Sequence, residues 1–208
     1  MTTTHTSTSL LGRLLNGATA LSRIAIWIAG SLTLLSALYI SADVICRKFF
    51  NFPLGGSDEL SGYAFAISVS WALSFATLDR ANIRIDAIYQ HLPSRLAAVL
   101  DWVALVVLAV FIVYLTRYSA QVAGMSWESQ SAANTLLGTP LWIPQTLWVL
   151  GFVWLCLVLA LMLIRASLAL VTGDIQTVRA LCGIRTAKEE ATEEAEAGKR
   201  IVQMERES

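Results

Sequence analysis

The chain has 208 residues, of which 56% are hydrophobic and 14% are charged, with fifteen Lys and Arg against fifteen Asp and Glu. Its mean hydropathy is +0.62. A soluble domain carries roughly a quarter charged residues, so this chain has too few polar side chains to cover a soluble globule. The zero net charge argues against a nucleic-acid binder, and the low charged fraction argues against disorder. The composition therefore predicts a membrane protein.

Four apolar segments follow one another along the chain, at about residues 24–46, 60–78, 96–117 and 144–165. Each approaches or exceeds the ~18 apolar residues that mark a membrane-spanning helix. None alternates apolar and polar residues as a strand of a membrane barrel must. Because a backbone in hydrocarbon has to satisfy its own hydrogen bonds, we expect helices. The sequence predicts an all-α integral membrane protein with four transmembrane helices.

The segments outside the spans complete the predicted organisation. Residues 81–92 place Ile85, Ile88 and Leu92 on one helical face, which is typical of a short interfacial helix between spans 2 and 3, ended near Pro93. We expect a cytoplasmic N-terminal segment (1–20), a four-helix membrane domain (21–173) and a charged cytoplasmic tail (174–208). The polar connection at about 118–139 can extend the third helix beyond the membrane.

Lys and Arg are distributed unevenly between the two sides that four spans define. The termini and the second connection together carry twelve of them, against three on the other side. Cytoplasmic loops carry the excess of Lys and Arg in membrane proteins. Both termini are therefore predicted to be cytoplasmic.

The few charged residues within the spans lie near span ends. Asp43 precedes Arg47 by four residues, which predicts an ion pair on one helix face. Asp101 and Arg117 lie near opposite ends of the third span, where snorkelling is possible. A stand-alone pump or exchanger of this size usually needs a charge or a broken helix at mid-depth. The pattern therefore argues against transport by this chain alone.

The second span contains a ridge of small residues at every fourth position, namely Gly62, Ala66, Ser70 and Ser74. Small residues allow close approach of membrane helices. The ridge therefore indicates helix packing, either within this chain or onto a partner. Two tryptophans at mid-span, Trp71 and Trp154, are also expected to pack between helices.

Catalytic and metal-binding motifs are not found in the sequence. HExxH, GxSxG, P-loop and GxGxxG patterns are missing, which argues against an enzyme and against ATP hydrolysis. Two histidines and three cysteines without a CxxC pair argue against a zinc site. We expect no catalytic residues, no cofactor and no metal.

Three motifs in order give the chain a family resemblance. Residues 43–60 contain Asp43, Arg47, a Pro/Gly turn and then Ser57, Asp58 and Glu59. Ser57 is expected to cap the second helix, with the two acids in its first turn. Residues 79–86 carry Arg80, Arg84 and Asp86, and residues 138–144 read Gly-Thr-Pro-Leu-Trp-Ile-Pro. Together these motifs resemble the small, DctQ-like membrane subunit of tripartite ATP-independent periplasmic (TRAP) transporters, although Asn82 stands where that family often has His.

The resemblance implies a function that the residues alone do not give. Such transporters combine a periplasmic solute-binding protein, a large permease subunit and a small subunit, and take up organic acids with sodium. The resemblance implies that the small subunit lies in the bacterial inner membrane, contacts lipids and packs on the permease, which holds the substrate. The alternative is a four-helix structural or regulatory membrane protein unrelated to transport.

The motifs and the small-residue ridge give one set of candidate subunit-interface or structural residues. They are Asp43, Arg47, Asp58, Glu59, Gly62, Ser70, Arg80, Arg84 and Asp86. Helix capping and snorkelling are the alternative roles for the charged members.

Overall fold

The computed structural model of the chain describes residues 4–80, 93–135 and 137–182, together with the single positions 195 and 198. These residues form the helices α1 (Thr4–Phe50), α2 (Ser57–Leu78), α3 (Ser94–Glu128), α4 (Trp142–Val171) and α5 (Ile175–Cys182). The first four are each long and apolar enough to cross a membrane. The chain is therefore an all-α membrane protein, as predicted. The predicted interfacial helix at 81–92 and the residues from Lys188 onward, apart from those two positions, lie outside the described residues.

Two helices run well beyond the predicted spans. Helix α1 has 47 residues, which corresponds to about 70 Å at 1.5 Å per residue. Its early part packs inward, since Leu15 and Ala18 belong to the hydrophobic core. Helix α3 continues past Arg117 to Glu128. A hydrocarbon core is only ~30 Å thick, so these helices extend beyond it or cross it at a tilt.

Helix α4 supplies the centre of the core. Its Leu155, Val158 and Leu159 are at most 2% exposed. They pack with residues of α1 and α3 in one cluster that includes Leu15 and Ile112. Helix α2 also packs on α4, and α1 and α2 form the other antiparallel pair. The fourth helix thus joins the α1–α2 hairpin to the α3–α4 hairpin.

The small-residue ridge of α2 packs within the chain over its second half. Ser70 and Ser74 are fully buried. A Cβ atom added to Gly151 of α4 would lie 2.4 Å from Ser70 Oγ and 3.0 Å from the Ser70 carbonyl carbon. Near the start of α2, by contrast, a Cβ atom on Gly62 would meet no heavy atom within 4 Å. The ridge therefore fits α2 closely against α4 at Ser70 and is open at Gly62.

Tryptophan side chains link the helices by hydrogen bonds. Trp71 Nε1 donates to the carbonyl of Leu147 (3.1 Å), and Trp154 Nε1 donates to Ser22 Oγ (3.0 Å). The packing of Trp71 and Trp154 between helices, predicted from their mid-span positions, is confirmed. An indole N–H is a donor that needs a partner when it is removed from water, and these bonds provide one.

The short helix α5 packs on α3 and α4 after the last span. Val178 is fully buried beside Ala98 and Ala169. Asp174 precedes the helix and accepts hydrogen bonds from the backbone N–H (3.1 Å) and the hydroxyl (2.5 Å) of Thr177. These bonds favour the ionised carboxylate and lower the pKa of Asp174. The arrangement is a side-chain cap at a helix N-terminus.

A candidate functional site at the helix connections

The carboxylate of Asp43 is the centre of a polar cluster where α1 meets α2, which we call the Asp43 cluster (Asp43, Arg47, Leu54 and Ser57). Its side chain is only 1% exposed. Oδ1 accepts the backbone N–H of Leu54 at 2.7 Å, and Oδ2 accepts Ser57 Oγ at 2.8 Å and Arg47 Nη2 at 2.5 Å. A buried carboxylate is tolerated when charge-assisted hydrogen bonds occupy its oxygens. Both oxygens of Asp43 are occupied in this way.

The Asp43 cluster confirms one sequence prediction and corrects another. The Asp43–Arg47 ion pair forms as predicted. The prediction that Ser57 caps α2 is wrong, because the N-cap residue is Gly56 and makes no side-chain cap bond. The Ser57 hydroxyl donates to Asp43 instead. Asp58 and Glu59 do lie in the first turn of α2, as expected.

The turn between α1 and α2 is shaped by two glycines with left-handed backbone conformations. Gly55 has φ 77° and Gly56 has φ 69°. The hydroxyl of Tyr39 donates to the Gly55 carbonyl at 2.9 Å. A Cβ atom at Gly56 would lie 2.2 Å from a methyl carbon of Leu137. The backbone angle at position 56 therefore favours glycine, and a side chain there would also require Leu137 of the α3–α4 connection to move.

Glu59 forms a second cluster, the Glu59 cluster (Glu59, Tyr63 and Thr135). The hydroxyl of Tyr63, one turn later on α2, donates to Glu59 Oε1 at 3.0 Å. The hydroxyl of Thr135, in the connection between α3 and α4, donates to Oε2. Glu59 thus links the start of α2 to the second hairpin, whereas Asp43 links it to α1.

The α3–α4 connection is itself ordered by backbone hydrogen bonds. The N–H of Ala133 donates to the Thr139 carbonyl (2.9 Å), and that of Leu141 donates to the Ser131 carbonyl (3.0 Å). An isolated antiparallel bridge pairs Ala132 with Pro140. These bonds hold Thr135 in a compact loop, so it is positioned to reach Glu59.

The other predicted site residues do not join these clusters. Asp58 and Gly62 face outward, whereas Ser70 is buried against α4. Arg80 lies two residues beyond the end of α2 with φ 56°, and its N–H donates to the Thr77 carbonyl. Arg84 and Asp86 lie outside the described residues. The structure therefore brings Asp43 and Arg47 into one cluster and Glu59 into another, separate from Ser70 and Arg80.

Sequence reasoning did not identify three contributors to these clusters, namely Leu54, Tyr63 and Thr135. Tyr63 follows Glu59 by four residues, so helical spacing was a usable signal for that pair. The Leu54 contribution is a backbone N–H, which any residue type would supply. Thr135 is distant in sequence, and no local pattern indicates its contact with Glu59.

The chemistry of the two clusters is that of structural hydrogen bonding. Among the residues that the structure describes, no group of three His, Cys, Asp or Glu could hold a metal ion. The three cysteines are not joined in disulfide bonds. The carboxylates of Asp43 and Glu59 have their oxygens engaged by donors of this chain. The clusters therefore fix the relative positions of α1, α2 and the α3–α4 connection.

Comparison with known proteins gives the family. Residues 36–169 match the sequence model of the family described as "Tripartite ATP-independent periplasmic transporters, DctQ component". No curated protein and no solved structure matches the chain. The matched residues extend from α1 to α4 and include the Asp43 and Glu59 clusters. The family is a transporter component and is not an enzyme family. The chain belongs to the DctQ family of small membrane subunits of TRAP transporters.

Proposed function

We propose that this subunit packs on the large permease subunit of a TRAP transporter and stabilises it in the membrane. In this role it supports sodium-coupled uptake of an organic acid that a periplasmic solute-binding protein delivers. The subunit lies in the bacterial inner membrane with both termini in the cytoplasm. The observation that carries the proposal is the family match over residues 36–169.

The exposed apolar surface of α1 supports packing on another membrane protein. Trp27 is 75% exposed, and Ile28 and Leu34 are also largely exposed. In an apolar stretch of 18 residues of α1, only 11% of the residues are buried within the chain. Membrane helices associate through close packing, so a helix with so much unburied surface has room for a partner as well as lipid.

The carboxylates of Asp43 and Glu59 are engaged in hydrogen bonds within the chain, which supports an accessory role. A transporter binds its ion and substrate with polar groups that are available near mid-membrane, often at broken helices. Here Asp43 and Glu59 are occupied by internal hydrogen bonds. Both clusters lie where helices connect. We therefore assign the substrate and sodium sites to the permease.

Reconstituted transport tests the proposal. Proteoliposomes are prepared with this subunit alone, with the permease alone, and with both, and uptake of labelled succinate and sialic acid is measured with the binding protein and an inward sodium gradient. We expect uptake only when both membrane subunits are present. We also expect the permease to melt at a lower temperature alone than in complex with this subunit. Uptake by this subunit alone, or a permease equally active and stable without it, would overturn the proposal.

A further inference from the structure

The register of α3 against α4 places Arg117 beside the interior of α4. Three contacts pair the helices in antiparallel order: Trp127 with Trp142 (ring centroids 4.6 Å apart), Thr116 with Cys156 (Oγ1 to Sγ 3.3 Å) and Trp102 with Ser167 (Nε1 to Oγ 2.9 Å). Arg117 follows Thr116 and therefore lies at the level of Cys156. The sequence had predicted a position at the end of a span.

The level of Cys156 is inside the apolar run of α4. Residues 142–164 contain no charged side chain, and this run is about 33 Å long at 1.5 Å per residue, close to the thickness of the hydrocarbon core. By the same rise, Cys156 lies about 21 Å from Trp142 and about 12 Å from Ile164. The shorter of these distances exceeds the reach of one arginine side chain. Snorkelling along this hairpin therefore leaves the guanidinium within the level of the apolar run of α4.

A charge at this depth is costly in lipid, and such residues normally pair with another group. Arg117 is exposed on the surface of this chain. It forms no ion pair or hydrogen bond with any residue in the described part of the chain. Its neighbours Val113 and Tyr114 are 57% and 58% exposed. The described part of this chain therefore supplies no partner for Arg117.

A groove of about 460 Å³ lies beside Arg117. Val106, Val110 and Val113 line it at helical spacing on one face of α3, and Leu163 contributes from α4. Side chains of this size leave space for a ridge of another membrane helix. We call this surface, formed by Val106, Val110, Val113, Tyr114 and Arg117, the Arg117 face.

We propose that the Arg117 face receives a transmembrane helix of the large permease subunit, and that this helix carries an Asp or Glu paired with Arg117. This inference rests on the proposed function and names the contact surface. A carboxylate is the complement that a guanidinium pairs with best in a dry environment, through two parallel hydrogen bonds.

Two other occupants fit the observations less well. Phospholipid phosphates lie at headgroup level, beyond the ends of the apolar run. Among the described residues, a second copy of this chain offers no suitable carboxylate at such depth, since Asp43 and Asp101 are each 1% exposed. A permease helix that carries one Asp or Glu can reach the level of Arg117 and has the opposite charge.

Co-purification from membranes tests the inference. The permease is co-expressed with the tagged subunit carrying Arg117→Glu, Arg117→Leu or Val110→Trp. Arg95→Leu is the matched control, because Arg95 is an exposed arginine at the start of the same helix. We expect the Arg117 and Val110 variants to recover at least about tenfold less permease, since an unpaired buried charge or a blocked groove opposes association. The control should recover the wild-type amount.

Two further measurements separate the possible explanations. The melting temperature of each isolated variant in detergent should equal that of the wild type, because Arg117 has no partner in the described chain. Replacing one membrane-embedded acidic residue of the permease by Lys should restore binding to Arg117→Glu. If all three variants recovered the wild-type amount of permease, the inference would be overturned. It would also be overturned if Arg117→Leu kept the permease but lost bound phospholipid, since Arg117 would then pair with a lipid phosphate. Failure of the wild-type subunit to recover any permease would overturn the proposed function itself.

Discussion

The carboxylate of Asp43 connects three parts of the chain that are not adjacent in sequence. It accepts one bond from a side chain of its own helix, one from the backbone of the turn and one from the first residue of α2. The Arg47 side chain is 60% exposed, so solvent screens its ion pair with Asp43. The bonds to Leu54 and Ser57 are less accessible to water. At the scale of the residue, we therefore attribute most of the stabilising effect of Asp43 to those two bonds.

Replacing Asp43 by Ala should destabilise the isolated subunit. The substitution leaves the N–H of Leu54 and the hydroxyl of Ser57 without their acceptor, and unpaired buried donors are costly. We expect the melting temperature in detergent, followed by far-ultraviolet circular dichroism, to fall by about 5 °C or more. Arg47→Ala should lower it less.

Asp58→Ala is the control for this measurement, because Asp58 is an exposed acid in the same turn. Its melting temperature should stay close to that of the wild type. Equal melting temperatures for the Asp43 and Asp58 variants would show that the buried cluster does not hold the hairpin.

Helices α2 and α4 approach each other at Ser70 and Gly151. The serine hydroxyl donates to the Ile67 carbonyl of its own helix at 2.9 Å, so its polar group is satisfied without a partner on α4. This leaves a small, apolar contact surface that a glycine can meet closely. At the scale of the helix, the contact joins the two hairpins through the middle of the bundle.

Gly151→Ala should weaken the contact between α2 and α4. The added methyl group would lie 3.0 Å from the Ser70 backbone, so one helix has to move. Overpacking of this kind costs about 1–3 kcal/mol. The free energy of unfolding, measured by titrating SDS into mixed micelles, should fall by that amount.

Gly30→Ala provides the comparison, since a Cβ atom at Gly30 meets nothing within 4 Å. In a helix interior, Ala is favoured over Gly by up to about 1 kcal/mol. Gly30→Ala should therefore leave stability unchanged or raise it. A destabilisation by Gly30→Ala as large as that by Gly151→Ala would contradict the role of close packing.

At the scale of the whole molecule, the described spans form two hairpins whose connecting ends meet at the Glu59 cluster, and α5 follows the second hairpin. Thr135 of the α3–α4 connection donates to Glu59 at the start of α2. The α1–α2 and α3–α4 connections therefore lie on the same side of the bundle. Two hairpins with their connections on one side leave the start of α1 and the end of α4 on the other side. The uneven distribution of Lys and Arg predicts that this other side is the cytoplasm.

Reporter fusions test this orientation. Green fluorescent protein fused after Ser208 should fluoresce, because it folds in the cytoplasm. Alkaline phosphatase fused after Phe52 or after Thr135 should be active, because it requires the oxidising periplasm. Phosphatase activity for a fusion after Ser208, with none after Phe52, would reverse the predicted orientation.

The sequence determined the features that depend on local spacing. Membrane residence and the presence of four spanning helices followed from long apolar runs. The Asp43–Arg47 pair followed from a separation of four residues on one helix. In each case the physical cause lies within a single segment, so no knowledge of its neighbours was needed.

Only the tertiary structure decided how the segments are placed against one another. The contact of Glu59 with Thr135, the use of Ser57 as a partner of Asp43, and the level of Arg117 against Cys156 all depend on the register between helices. Apolar side chains resemble lipid tails, so hydropathy places a helix in the membrane without fixing its position along its neighbour. Close packing and a few polar contacts fix that position, and they join residues far apart in the chain.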